Sequence, residues 1–211
     1  LTIKIIKKKI KIIKKMYQPP IEQIKKLREI TLAPIMSCKE ALIEAQGNLD
    51  EAQKILRKKG VLKAESKAER EVGAGIIDSY IHNGNQIGVL LELRSETDFV
   101  ARNEEFKKLA HELGIQIASM NPIYLEVSKI PVEELNQKRE EFSQDLKDIQ
   151  DEKKFEKALE GKLNSWYEEV VLLEQMYYKD QNLKVKDLIN NAIATFGENI
   201  RVSKFVRFEI W

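Results

Sequence analysis

Asn83-Gly84 lies between two runs of alternating apolar residues, Gly75-Ile-Ile-Asp-Ser-Tyr-Ile81 and Gln86-Ile-Gly-Val-Leu-Leu-Glu-Leu93, and no other feature limits the fold of this chain so strongly. Both turn residues suit the positive φ angles of a tight reversal, so His82–Asn85 is predicted to fold the two runs into an antiparallel hairpin. The second run turns Ile87, Val89, Leu91 and Leu93 toward one face. That face needs a cover, and Phe106, Leu109, Ala110, Leu113 and Ile117 follow at the spacing of an amphipathic helix.

Ahead of the hairpin come three short helical patterns. The first runs from Ile21 to about Thr31, with Ile21, Ile24, Leu27 and Arg28 at helical spacing. Ser37-Cys-Lys-Glu40 has the form of a capping box and is predicted to open a helix over Cys38–Gln46, closed by Gly47. Asn48-Leu-Asp-Glu51 starts the third, which turns Ala52, Ile55 and Leu56 inward and is expected to stop at Gly60. A bundle of forty residues has a marginal core and works best attached to something larger. Residues 61–72 read as a connecting helix, 131–169 as a helical arm or helix pair with Leu135, Phe142, Leu146 and Ile149 as its stripe, and Lys184–Phe196 as a helix stopped by Gly197. Arg201–Ile210 reads as a strand with Val202, Val206, Phe208 and Ile210 on one side. The class is α+β: a three-helix module over 16–60, a linker helix over 61–74, and a core over 75–211 in which helices cover an antiparallel sheet.

Charge needs dissection. The formal net charge of +2 conceals seven lysines and no acid in residues 1–15, a stretch almost wholly Lys and Ile, so the rest of the chain is mildly acidic. A nucleic-acid binder should carry basic charge on its folded face, which speaks against that class. The chain starts at Leu1, and the first methionine is Met16. Lys and Ile codons are AT-rich, so one expectation is a natural product that begins at Met16, with upstream sequence read through; N-terminal sequencing of native material decides it. As a membrane-touching tail or targeting segment the leader fits poorly, lacking Arg, Ser and an unbroken apolar core. No apolar run approaches the ~20 residues of a membrane span.

The inventory for covalent chemistry is thin. One cysteine, Cys38, excludes an internal disulfide, and two histidines far apart, His82 and His111, offer no metal cluster. Gly73-Ala-Gly75 precedes a strand and lacks the Lys-Ser/Thr of a phosphate loop. Cys38 stands where a helix N-terminus could activate a thiol, but a small residue packed in a bundle explains it as well. Glu96 and Asp98 alternate along an extended chain and so point apart, which disfavours an acid/base pair. Asp98-Phe99 allows two readings: Thr97 or Asp98 caps a helix that Phe99 staples to the hairpin, or Phe99 is presented to a partner.

At these residues the sequence resembles a known family. T-D-F-V-A-R-N at 97–103 is similar to the signature of elongation factor Ts, the guanine nucleotide exchange factor of the translational GTPase EF-Tu. L-R-E-I-T at 27–31 and M-S-C-K-E-A-L-I-E-A at 36–45 resemble its ubiquitin-associated-like N-terminal module, continued by L-R-K-K-G at 56–60. I-Q-I-A-S-M-N-P-I-Y-L at 115–125, V-V-L-L-E-Q at 170–175 and K-F-V-R-F-E at 204–209 resemble its core. In this order and spacing the set is specific.

The resemblance implies a mechanism. Lys25, Arg28, Ile35 and Met36 would grip the GTPase domain, while Thr97, Asp98, Phe99 and Val100 would intrude beside the nucleotide and part the elements that hold Mg²⁺, so that GDP leaves. It implies no cofactor or metal of the chain's own, no nucleic acid or membrane partner, and a cytoplasmic location, or an organelle of bacterial descent. The chain resembles the compact members, which implies a homodimer. It departs from the family's pattern at Thr31-Leu-Ala-Pro34, where Thr-Gly-Ala-Gly is usual, at Ser37 in place of Asp, and at Met176-Tyr177 in place of Pro-Phe. The rival readings are an adaptor without exchange activity, a hydrolase using carboxylates near Glu96, and nucleic-acid association through the leader.

Overall fold

The computed structural model describes residues 17–31 and 33–210; the Lys/Ile leader, the expected start at Met16, and Leu32 lie outside the described residues. Two compact units divide the chain. The first combines the described residues up to Gly75 with Arg94–Phe106 and Asp187–Arg201; the second combines Ile76–Leu93, Lys107–Lys186 and the residues from Val202 on.

In the first unit, α1 (Ile21–Thr31), α2 (Ile35–Glu44) and α3 (Leu49–Glu65) form the small bundle. Its centre is Leu27, Cys38, Ala41, Leu42 and Ala52, with Ile24, Ala33 and Leu56 around them. Fully burying each leucine is worth roughly 1.5–3 kcal/mol, so a handful of side chains holds the bundle. Asn48 caps α3 as the sequence predicts, its side chain accepting from the Glu51 amide at 3.1 Å.

Two expectations here are corrected. The second helix begins at Ile35 with Pro34 at its N-cap, and no side chain caps it, so Ser37 and Glu40 make no capping box. Proline supplies the entry instead: it sits at φ −55°, its fixed ring angle, and its carbonyl accepts from Cys38 at 2.9 Å. The third helix passes through Gly60 and ends at Glu65, so residues 61–65 are its last turn, with no separate linker helix after them. Gly60 serves close approach, since a Cβ there would lie 2.9 Å from Oδ1 of Asn191. Asn191 belongs to α8 (Val185–Phe196) and donates to the Thr31 carbonyl at 2.8 Å, while Arg57 pairs with buried Asp187 at 3.0 Å.

Most of a three-stranded sheet lies in the second unit: β1 (Ala74–Ile81), β2 (Ile87–Ser95) and β5 (Ile200–Glu209), with β2 in the middle. The hairpin forms, the His82 amide donating to Ile87 and the Asn85 amide to His82, both at 2.9 Å. Its positive φ angles fall on Gly84 (90°) and Asn85 (58°) and not on Asn83, so the turn sits one residue later than predicted. The Ile210 amide donates to Gln86, which sets β5 antiparallel to β2. Val89, Leu91 and Leu93 are buried, as the alternation requires. From Lys107 on, α5 (Glu104–Met120) lies on β1, where His111 meets Asp78 at 3.5 Å and Tyr80 edge-on. The stretch 131–169 is a packed pair, α6 (Val132–Asp145) and α7 (Glu152–Val170), joined around Leu163 and Trp166 by Leu135, Phe142 and Leu159. A short hairpin of β3 (Met176–Tyr177) and β4 (Asp180–Lys184) was not predicted.

Strand β5 departs from its expected face. Val202 is buried, but Val206, Phe208 and Ile210 are exposed, because two successive residues, Ser203 and Lys204, both face solvent and the alternation changes phase there. Helices and antiparallel strands in separate stretches make the fold α+β. Among the described residues, no helix is long and apolar enough to cross a membrane.

Candidate partner-binding site

Strand β2 ends at Ser95, fully buried, whose hydroxyl donates to the Thr97 carbonyl at 2.9 Å. Thr97 is extended, and its Oγ1 accepts from the Val100 amide at 3.5 Å, capping the single-turn helix α4 (Asp98–Ala101). Such a cap is worth about 1 kcal/mol, a large share for a helix of one turn. Val100 and Ala101 are buried and anchor the turn from below. Phe99, between Asp98 and Val100, is 81% exposed. Thr97 therefore caps the turn as the first reading expects, but Phe99 points to water and does not staple the turn to the hairpin.

The carboxylates around Phe99 are engaged separately. Asp98 pairs with Arg102 at 2.8 Å, one turn on, in an exposed contact worth at most about 1 kcal/mol. Glu96 turns the other way, accepting the Asn199 amide at 2.6 Å and meeting Arg70 at 3.5 Å. No acid/base pair forms at this turn. Asn103 then starts α5, its side chain accepting from the Glu105 amide at 2.9 Å, and Phe106 is fully buried edge-on to Phe196.

The other predicted contacts lie in the same unit. On α1, Ile24 and Leu27 are buried, which leaves Lys25 exposed and Arg28 at the boundary. Arg28 reaches Glu105 at 3.4 Å, so this helix is tied to the helix that leaves the Phe99 turn. Ile35 and Met36, in the first turn of α2, are both exposed, at 55% and 62%. They are exposed because Cys38, Ala41 and Leu42 take the inward positions of that helix. Burial pushes the Cys38 thiol up, and its Sγ donates to the Ala33 carbonyl at 3.6 Å, so it is a packed thiol and no nucleophile.

Sequence reading missed what holds the turn from outside. Glu198 accepts from the Thr97 amide at 3.0 Å and from the Thr97 hydroxyl at 2.6 Å. Asn199, 2% exposed, donates to the Arg70 carbonyl at 2.7 Å. Both lie about a hundred positions further along the chain, and Gly197-Glu-Asn199 signalled only a helix stop. Gly197 does stop α8, at φ +75°, with its amide bonded to Ile193.

The family Elongation factor TS matches residues 5–210. Elongation factor Ts of Thermotoga petrophila is 50% identical over 190 residues, 90% of this chain and 95% of the relative. That of Thermotoga maritima matches at the same level, and that of Fervidobacterium nodosum is 47% identical over 90% of this chain and 96% of the relative. The chain belongs to the elongation factor Ts family, a family of translation elongation factors.

Proposed function

We propose that the chain binds EF-Tu·GDP and accelerates loss of the nucleotide, without making or breaking a covalent bond. The observation that carries this reading is Phe99, 81% exposed on a turn whose neighbours Val100 and Ala101 are buried. A large apolar ring on a rigid support acts as a wedge, since it loses little freedom on insertion. Thr97 and Val100 hold the turn, Asp98 brings negative charge beside the partner's Mg²⁺ site, and Phe99 enters between the elements that position the ion. Displacing Mg²⁺ removes much of the charge that holds the diphosphate. By linkage, a factor that prefers the nucleotide-free GTPase must weaken nucleotide affinity by the same factor.

The three helices α1, α2 and α3, over Ile21–Glu65, act as the ubiquitin-associated-like grip, through Lys25, Arg28, Ile35 and Met36. Residues 75–211 form the core, and the setting is the cytoplasm. A second copy completes the assembly: the uncovered face of the sheet exposes Ile77, Ile81, Leu90, Val206 and Phe208 together, a surface suited to a like surface.

The test is release of a fluorescent GDP analogue from source-matched EF-Tu, with and without the chain and its Phe99→Ala variant. Acceleration that the variant largely loses supports the wedge. Acceleration that the variant keeps moves the mechanism to the grip or the core. Binding without acceleration sinks the exchange reading and leaves an adaptor.

A further inference from the structure

We propose that Glu198, on the turn after α8, is a positioning residue for exchange, one that aims Phe99 by fixing the hydroxyl of Thr97; the inference rests on the exchange reading above.

A threonine hydroxyl has one proton to give and lone pairs to accept with. To cap α4, the Thr97 oxygen must accept from the Val100 amide. Its proton must therefore point elsewhere, and the Glu198 carboxylate, acceptor-only when ionised, receives it at 2.6 Å. The second carboxylate oxygen takes the Thr97 amide at 3.0 Å, so both donors of Thr97 end on one side chain. The contact is reciprocal. Glu96, one residue before Thr97, accepts the amide of Asn199, one residue after Glu198, at 2.6 Å. Asn199 in turn donates to the carbonyls of Arg70 and Ala68, and Lys67 donates to the Gly197 carbonyl at 2.5 Å. Two segments far apart in sequence thus hold each other by carboxylate-to-amide bonds in both directions.

The consequence falls on Phe99 because a single helical turn has no stability of its own. Val100 and Ala101 fix its inner side, but the rotation of the turn about them depends on the cap, and the cap depends on Glu198. Without the carboxylate, the Thr97 hydroxyl is free to rotate, the cap is intermittent, and the exposed ring loses its fixed aim. The grip residues on α1 and α2 make no use of this contact, so their binding is untouched.

The experiment measures GDP-analogue release across a range of factor concentrations. Glu198→Ala should lower the maximal acceleration about tenfold, the size expected for a lost hydrogen bond to a charged acceptor. The concentration for half effect should stay within about twofold, and a change confined to that concentration overturns the proposal. Glu198→Gln, which keeps an acceptor for the hydroxyl but not for the amide, should recover part of the loss. In the Phe99→Ala background Glu198→Ala should change nothing further, because it acts through that ring; full additivity overturns the proposal. Thr97→Val, which keeps shape without the hydroxyl, should reproduce the loss if Glu198→Ala folds poorly. A fluorine label on the ring of Phe99, assigned by its disappearance in Phe99→Ala, reads the turn without EF-Tu. Glu198→Ala should narrow that line, and an unchanged line overturns the proposal even where the wild-type chain fails to accelerate release and the exchange reading itself has failed.

Discussion

Phe99 and the open face of the sheet both leave large apolar groups in water, and they do so in opposite ways. Phe99 stands alone on one helical turn, flanked by the Asp98–Arg102 pair and anchored by buried neighbours. The sheet face spreads Ile77, Ile81, Leu90, Val206 and Phe208 over three strands. A single ring offers roughly 150–250 Å² to bury, a few kcal/mol at about 25 cal/mol per Å². That is enough to bias an equilibrium in a partner and still let go. Five side chains on a rigid sheet offer several times as much, which suits a standing association. Exposure alone therefore does not identify a role; the area and the stiffness of the support do.

The largest effect should come from breaking the broad face. Leu90→Asp with Phe208→Asp is expected to weaken self-association by more than about a hundredfold, because charges would be buried at the centre of the interface. Sedimentation of the variant should give the mass of one chain, with thermal stability shifted little, since both positions are exposed. A mass unchanged from wild type would remove the face as the dimer surface. Next, Phe99→Ala should cut the acceleration of GDP release by about tenfold or more while the unfolding free energy moves by less than about 0.5 kcal/mol. A large loss of stability would show that the ring is a structural staple after all, and the comparison would fail.

A smaller effect should follow at Glu112, buried in the second unit. Burial alone would push its carboxyl up, but Lys179 at 2.6 Å and the hydroxyls of Tyr178 and Tyr177 outweigh that and hold it below the usual carboxylate range. Its folded pKa is depressed, so the stability it contributes is present above about pH 4.3 and is lost as pH falls through the lower folded value. Glu112→Gln is expected to cost about 1–2 kcal/mol at pH 7. Thermal unfolding of variant and wild type should converge as the pH falls through that lowered folded value, and a constant gap would show that the carboxylate charge is not what matters. The smallest effect belongs to Arg28–Glu105, half exposed on both sides. Glu105→Gln should change stability by less than about 0.5 kcal/mol, and a larger shift would make this pair a structural tie on a par with the buried ones.

The features legible in the sequence were those set by neighbours along the chain. The hairpin reversal at Gly84, the alternation of Val89, Leu91 and Leu93, the Asn48 cap and the stop at Gly197 each depend on local φ preference or on a fixed period. Where a local signal had a local rival, the reading went wrong: Ser37 with Glu40 looked like a capping box, but Pro34 three residues earlier already supplied the helix entry. The hairpin of β3 and β4 escaped because its strands are short and carry no sustained alternation.

By itself, then, the sequence determined the α+β class, most element positions and the family, and its resemblance proposed Lys25, Arg28, Ile35, Met36 and Thr97–Val100 as candidate contacts. Tertiary structure alone decided what each exposed or small residue is for. Gly60 became a crossing point because Asn191 packs against it, where local propensity said stop. Phe99 stayed in water because Val100 and Ala101, on the same turn, took the buried positions. Thr97 found its second partner in Glu198, about a hundred residues away. Propensity and periodicity act over a few residues, whereas close approach and hydrogen-bond satisfaction depend on groups that only the folded chain brings together.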